Sequence, residues 1–305
     1  MDIYRQISAN NRQTGLILFV FFLLCLLIVL VTLLILGVNP DELPEVFPVV
    51  SVAVFGGIFL WTLISYFWGG RMILKFVGSK PIDRKSHFDI FNLVQNVAIT
   101  AGLPNPEVYI IEDESLNAFA TGRNPQHGVV CLTTGIIEKL NKRELEAVVA
   151  HEMGHIANYD IRLQLILVTV IGIIAMVGEI FMRARGKKAG GIILAGLFLY
   201  LIGRPLLHIV SLSMSRNREY LADATGSYYT RDPEALASAL EKISKDSRVE
   251  SADKMNSAAH LFIANPKNEP AADTKKDIQR ESFLTRMIST HPPIFERVKR
   301  LRSRT

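Results

Sequence analysis

Ala150-His151-Glu152-Met153-Gly154-His155, near the middle of a 305-residue chain, is the stretch on which the rest depends. It has the form His-Glu-x-x-His. On a helix, residues four apart share a face, so His151 and His155 can present two imidazole nitrogens to one zinc ion. Glu152, beside them, can take a proton from a water held by the same ion. A five-residue pattern also arises by chance on surface helices, so its flanks have to agree. Here they do: Asn141 with Glu144 three residues on has the form of a capping box. Leu145, Val148, Val149 and Ile156 give the helix an apolar face, and the pattern runs to about Asn158.

Two histidines do not complete a catalytic zinc site, which usually has three protein ligands and one open position. Glu219, in Arg218-Glu219-Tyr220-Leu221-Ala222-Asp223, is the best third candidate. Asp223 lies one turn later on the same face, where a carboxylate can accept a hydrogen bond from a ligand histidine and fix its tautomer. On spacing alone, both acids also fit a solvated helix balancing Arg216 and Arg218. His208 lies in an apolar stretch and reads as a packed histidine. His87, His127 and His260 read as surface or capping residues.

The apolar residues are clumped. No charged side chain occurs from Gln13 to Pro40 or from Val46 to Gly70. A bilayer core of about 30 Å takes roughly 20 apolar residues as a helix. Spans are predicted over 16–36 and 47–68, and a second apolar hairpin over 161–182 and 191–212. A cleaved signal peptide is the alternative for the first run, but the run is long and a second span follows at once. The loop between the first two spans is acidic (Asp41, Glu42, Glu45), and the one after the second is basic (Arg71, Lys75, Lys80, Arg84, Lys85). Positive residues stay on the cytoplasmic side, so the bulk of the chain is expected there. The second hairpin's loop, with Arg183, Arg185, Lys187 and Lys188, runs against that tendency. A re-entrant or protein-buried hairpin is the competing reading.

Net charge is +5, and basic residues also close the chain (Arg297, Lys299, Arg300, Arg302, Arg304). No nucleic-acid recognition module accompanies them, and none is expected as partner. Cys25 and Cys131 lie far apart in sequence and setting, and no disulfide is expected. The soluble parts predict a helix over 86–101 ended by Gly102, strands at Glu107–Ile111 and Val129–Thr133, and a small-residue stretch, 117–122, leading to a turn. Further helices are predicted at Ser215–Tyr228 and Asp232–Asp246, the latter with Pro233 at its first position. The divisions expected are 1–70, 71–160, 161–212 and 213–305.

Taken in order, these pieces resemble HtpX-like integral-membrane zinc metalloproteases, relatives of the CAAX prenyl endopeptidases. The resemblance covers nearly the whole chain. It rests on two N-terminal spans, Asn117-Ala118-Phe119-Ala120-Thr121-Gly122, the 151–155 helix, an apolar hairpin, Glu219-Tyr220-Leu221-Ala222-Asp223, His260-Leu261-Phe262-Ile263-Ala264-Asn265-Pro266 and His291-Pro292-Pro293. It implies a predominantly α membrane protein, with four transmembrane or apolar helices and a cytoplasmic α+β gluzincin-type metalloprotease domain holding a small sheet. It implies one zinc per chain on His151, His155 and Glu219, with Glu152 and His291 catalytic. It also implies a bacterial inner-membrane endopeptidase that acts from the cytoplasmic side on membrane or misfolded polypeptides under stress. Asn117 would contact substrate backbone. Val129, Val130 and Cys131 would form the edge strand that receives it, and His291 would stabilise the oxyanion. Bland readings stand beside two of these: a turn former for Asn117 and an N-cap before Pro292 for His291. A scaffold or chaperone with a structural zinc is the rival class, although such a site is normally closed by four ligands. A transporter using Glu179 and Arg204 is the third option.

Overall fold

The computed structural model describes residues 12, 15, 19, 22, 23, 25–34, 37–183, 189–198, 218–246, 262–263 and 292–303. Two helices come from the N-terminal apolar runs, α1 (Cys25–Leu34) and α2 (Leu43–Phe76). At 34 residues α2 is about 50 Å long, well beyond a hydrocarbon core. The span predicted over 47–68 lies inside it, and its last turns carry Arg71 and Lys75. Among the described residues it is the one helix long and apolar enough to cross a membrane. Many apolar side chains of its 47–68 stretch point outward; Val52 is 73% exposed and Phe59 65%. On α1 a buried stripe at four-residue spacing (Cys25, Val29, Leu33) faces inward, and Phe22 stacks on Phe55 at 4.5 Å between ring centroids.

The second hairpin begins with α6 (Asp160–Met182), followed by α7 (Ala189–Phe198). The two cross closely at small residues, since a methyl added to Gly196 would lie 3.2 Å from the Gly178 carbonyl oxygen. Of the four apolar helices expected, α2 and α6 thus cover their segments. Most of the remainder of the first, and that of the fourth, including Arg204, lie outside the described residues.

Between the hairpins the chain forms β1 (Lys80–Pro81), α3 (Phe88–Ala101), β2 (Glu107–Ile111), β3 (Ala118–Thr121), β4 (Val129–Thr133), α4 (Thr134–Lys139) and α5 (Lys142–Ala157). After them come α8 (218–230), α9 (Pro233–Ile243) and α10 (Ile294–Arg302). Gly102 ends α3 in the left-handed region, as its position predicted. The sheet is mixed, in the order β1-β2-β4-β3. β4 runs parallel to β2, with Cys131 opposite Tyr109, and antiparallel to β3, with Cys131 opposite Phe119.

Two sequence expectations are corrected here. The stretch before the turn is itself a strand, β3, every residue of which is buried. And β4 is an inner strand: β2 and β3 take up both of its pairing edges. Val129, Val130 and Cys131 therefore cannot receive a substrate strand by edge pairing. The edge belongs to β3, where Phe119 already forms a single antiparallel bridge to Phe262.

One core packs α3, α5 and α9 against the sheet through residues such as Leu93, Val148, Leu132 and Leu240. A second joins the sheet to the end of α2, through Ile73, Leu74 and Val77 with Phe119, Cys131 and Phe262. The long apolar helix is thereby docked directly on β3 and β4.

Candidate active site

The start of α5 is firmly set. Asn141 accepts a hydrogen bond from the Glu144 amide while the Glu144 carboxylate accepts one from the Asn141 amide, the capping box that the sequence suggested. Ser238 and Lys242 of α9 bond the same carboxylate, at 2.6 and 2.7 Å. From that anchored end the helix carries His151, Glu152 and His155 into the interior, all buried.

What reaches them is decided by two glycines. A methyl on Gly226 would lie 2.8 Å from the His151 amide nitrogen and 2.9 Å from its Cα. A methyl on Gly154 would lie 3.3 Å from Ala222 Cα. With hydrogens there instead, α8 lies backbone against backbone on α5, and Glu219 comes between the histidines. His151 Nε2 is 3.7 Å from Glu219 Oε2, and His155 Nε2 is 3.5 Å from Glu219 Oε1. One donor atom from each residue lies within 4.8 Å of the others. A tetrahedral zinc with bonds of about 2.0–2.1 Å requires donors roughly 3.3–3.4 Å apart. The three side chains therefore fit such an ion in donor type, and the two histidine–Glu219 distances are within a few tenths of an ångström of that spacing.

Each histidine is held from behind. His155 Nδ1 donates to Asp160 Oδ2 at 3.0 Å, and His151 Nδ1 lies 3.0 Å from Asp223 Oδ1. Both Nδ1 atoms face carboxylates, so both Nε2 atoms are left toward Glu219. Behind each aspartate stands an arginine: Arg297 donates to both oxygens of Asp223, at 2.7 and 2.9 Å, and Arg218 lies 3.8 Å from Asp160. Burial alone would raise the Asp223 pKa, but Arg297 and His151 together hold it well below the carboxylate range. Burial pushes His155 down, yet Asp160, Glu219 and Glu152 outweigh it and lift its pKa to about 9. The acids that draw a proton to His155 would equally draw a divalent cation.

Glu152 differs from these. Among the described residues neither of its buried oxygens has a well-formed hydrogen bond, although the Ala120 amide is close enough to favour the ionised form. Burial is the larger influence and raises its pKa to about 7. A carboxylate near neutrality and beside a metal site is suited to accept and return a proton.

The other expected residues are placed as follows. Asn117 is buried just before β3, and its side-chain oxygen accepts the Ala118 amide at 3.1 Å. His291 and His260 lie outside the described residues. His127 sits in the exposed turn between β3 and β4, bonded to Asn124 and Arg123. Cys131 is buried and Cys25 is free. Sequence reasoning passed over Asp160 and Arg297. Asp160 lies just past the end of the motif helix, where the chain turns at Tyr159 with φ 60°. Arg297 belongs in sequence to a basic cluster, yet it shares the apolar face of α10 with Val298 and Leu301. An arginine on an apolar stripe was the available signal.

A His-Glu-x-x-His helix crossed by a second helix bearing a carboxylate, beside a small mixed sheet, defines a metallopeptidase. Peptidase family M48 matches residues 85–305. A protease HtpX homolog of Tropheryma whipplei (strain Twist) is 38% identical over 98% of both chains. One of Bacteroides fragilis is 35% identical over 98% of this chain and 97% of its own. The chain belongs to peptidase family M48 and is a metalloendopeptidase, and among its described residues one helix is long and apolar enough to cross a membrane. Among solved structures, that of S. mikatae Ste24p is similar over 94% of this chain and 62% of its own, at 18% identity and a TM-score of 0.46.

Proposed function

We propose that this chain is a membrane-embedded, zinc-dependent endopeptidase that cleaves membrane or misfolded proteins at the cytoplasmic face of a bacterial inner membrane, as part of stress-linked quality control. The observation that carries the reading is the grouping of His151, His155 and Glu219, whose donor atoms lie within 4.8 Å of one another, close enough to share one ion. When bound there, zinc would polarise a peptide carbonyl and make water acidic enough to attack it near neutral pH. Glu152 accepts the proton of the attacking water on a carboxylate oxygen and returns it to the leaving amine. Asp160 and Asp223 hold the two imidazoles by their Nδ1 atoms. His291 would donate to the developing oxyanion and Asn117 would contact substrate backbone. With the Ala120 amide close to Glu152, β3 rather than β4 runs alongside the site. A peptide adding a strand there would share the outer edge of β3 with Phe262.

Segments 1–70 and 161–212 would anchor the protein, and 71–160 with 213–305 would form the catalytic part. In support, only two residues separate α5 from α6, so the motif helix runs almost directly into an apolar one. The site would then lie at the membrane surface. A structural zinc in a scaffold would call for a fourth protein ligand, and among the described residues three donors are grouped here. The test is casein cleavage by the detergent-purified full chain. Cleavage that stops with a zinc chelator and returns with added zinc is expected. Cleavage indifferent to the chelator would overturn the proposal.

A further inference from the structure

An arginine in a C-terminal run of Arg297, Lys299, Arg300 and Arg302 would ordinarily be solvated. Arg297 has no exposed surface at all. Its guanidinium forks onto both oxygens of Asp223, approaches Glu219 Oε2 at 3.2 Å and donates to the Ile263 carbonyl at 3.2 Å. His151 Nε2 is 3.4 Å away. Burying a guanidinium is costly unless its planar donors are met, and here two carboxylates and a carbonyl meet them.

Docking of α10 also has contacts of its own. Val298 and Leu301 already pack on the core, and Arg302 forks onto Glu234 and Glu241 of α9 at the surface. What Arg297 adds is order at the metal site. Through Asp223 it fixes the carboxylate behind His151, and directly it holds one oxygen of Glu219. Its single positive charge is shared between Asp223 and Glu219, with the closer, forked contact on Asp223. Two of the three donors thus depend on a side chain that enters from the last helix, 78 residues after Glu219 by position number.

We infer that Arg297 is a positioning residue that sets metal affinity, so that α10 is a working part of the metal site and not only a closing helix. This rests on His151, His155 and Glu219 being the ligands. The experiment compares full-length wild type, Arg297→Met, Arg297→Lys and Arg302→Ala. Zinc affinity is measured by competition with a chelator, and site geometry by the visible absorption of the cobalt(II)-substituted proteins. Outer partners of metal ligands are typically worth about 10–100-fold in affinity. Arg297→Met should weaken zinc by that factor. Arg297→Lys, with the charge but not the fork, should fall between and shift the cobalt spectrum. Arg302→Ala should stay within about twofold of wild type. Wild-type affinity and spectrum in Arg297→Lys would overturn the inference, even if Arg297→Met failed to fold. An equal loss in Arg302→Ala would reduce Arg297 to helix docking and overturn it too. A wild type that takes up neither metal would instead overturn the ligand assignment on which the inference rests.

Discussion

Glu152 is a buried carboxyl whose pKa burial raises from 4.5 to about 7. In the metal-free protein, between those two values, the folded chain keeps a proton there that the unfolded chain has lost. Stability from this group therefore falls as pH rises through that window. Glu152→Gln should leave zinc bound and lower cleavage by about 10²–10⁴-fold. In the metal-free state above pH 7 it should also stabilise the fold, by on the order of 3 kcal/mol. Denaturant titration at pH 8 checks the second effect, and unchanged turnover would remove Glu152 from the mechanism. At this scale the spacings His151–His155 and Glu219–Asp223 were legible, because each pair lies within one helix. Asp160 was not, because its approach to His155 depends on the turn at Tyr159. Nor was Arg297, whose partners come from other segments.

At the scale of elements, the crossing of α5 and α8 brings the donors together. An alanine at Gly226 would press its methyl into the His151 backbone. Overpacking of this kind costs about 1–3 kcal/mol. Gly226→Ala should therefore lower denaturation midpoints and weaken zinc together. A stable variant with full zinc affinity would show that the close crossing is dispensable. The start of α5 has its own pH signature. Burial raises the Glu144 pKa, but Lys242, Ser238 and the Asn141 amide outweigh it, and the net shift is downward. Its contribution is thus present above the ordinary carboxylate pKa and is lost as pH falls through the depressed value. Glu144→Gln should cost about 1–3 kcal/mol at neutral pH and flatten the acid limb of a stability-against-pH profile. The capping box, α3 with its glycine stop, β2, β4 and the Pro233 helix were all legible in the chain. Strand β3 was not: its mostly small side chains carry no strand pattern and read only as a stretch leading to a turn, and burial against β4, Phe262 and α5 makes them a strand. Strand order was equally hidden, since β4 pairs with both a preceding parallel strand and an intervening antiparallel one.

For the whole molecule, composition separated apolar runs from soluble ones, but not how they meet. Among the described residues they join at the end of α2 against the sheet and at the short turn from α5 into α6. If 161–212 crosses the bilayer as a hairpin, single cysteines at 186–190 should be labelled by an impermeant reagent from the side opposite the catalytic part. Labelling from the catalytic side would make the hairpin re-entrant. The central claim, that His151, His155 and Glu219 hold the zinc at which peptides are cut, is tested most directly by metal content. Purified wild type should carry about one zinc per chain and Glu219→Ala, folded, very little. Full zinc occupancy in Glu219→Ala would contradict the account.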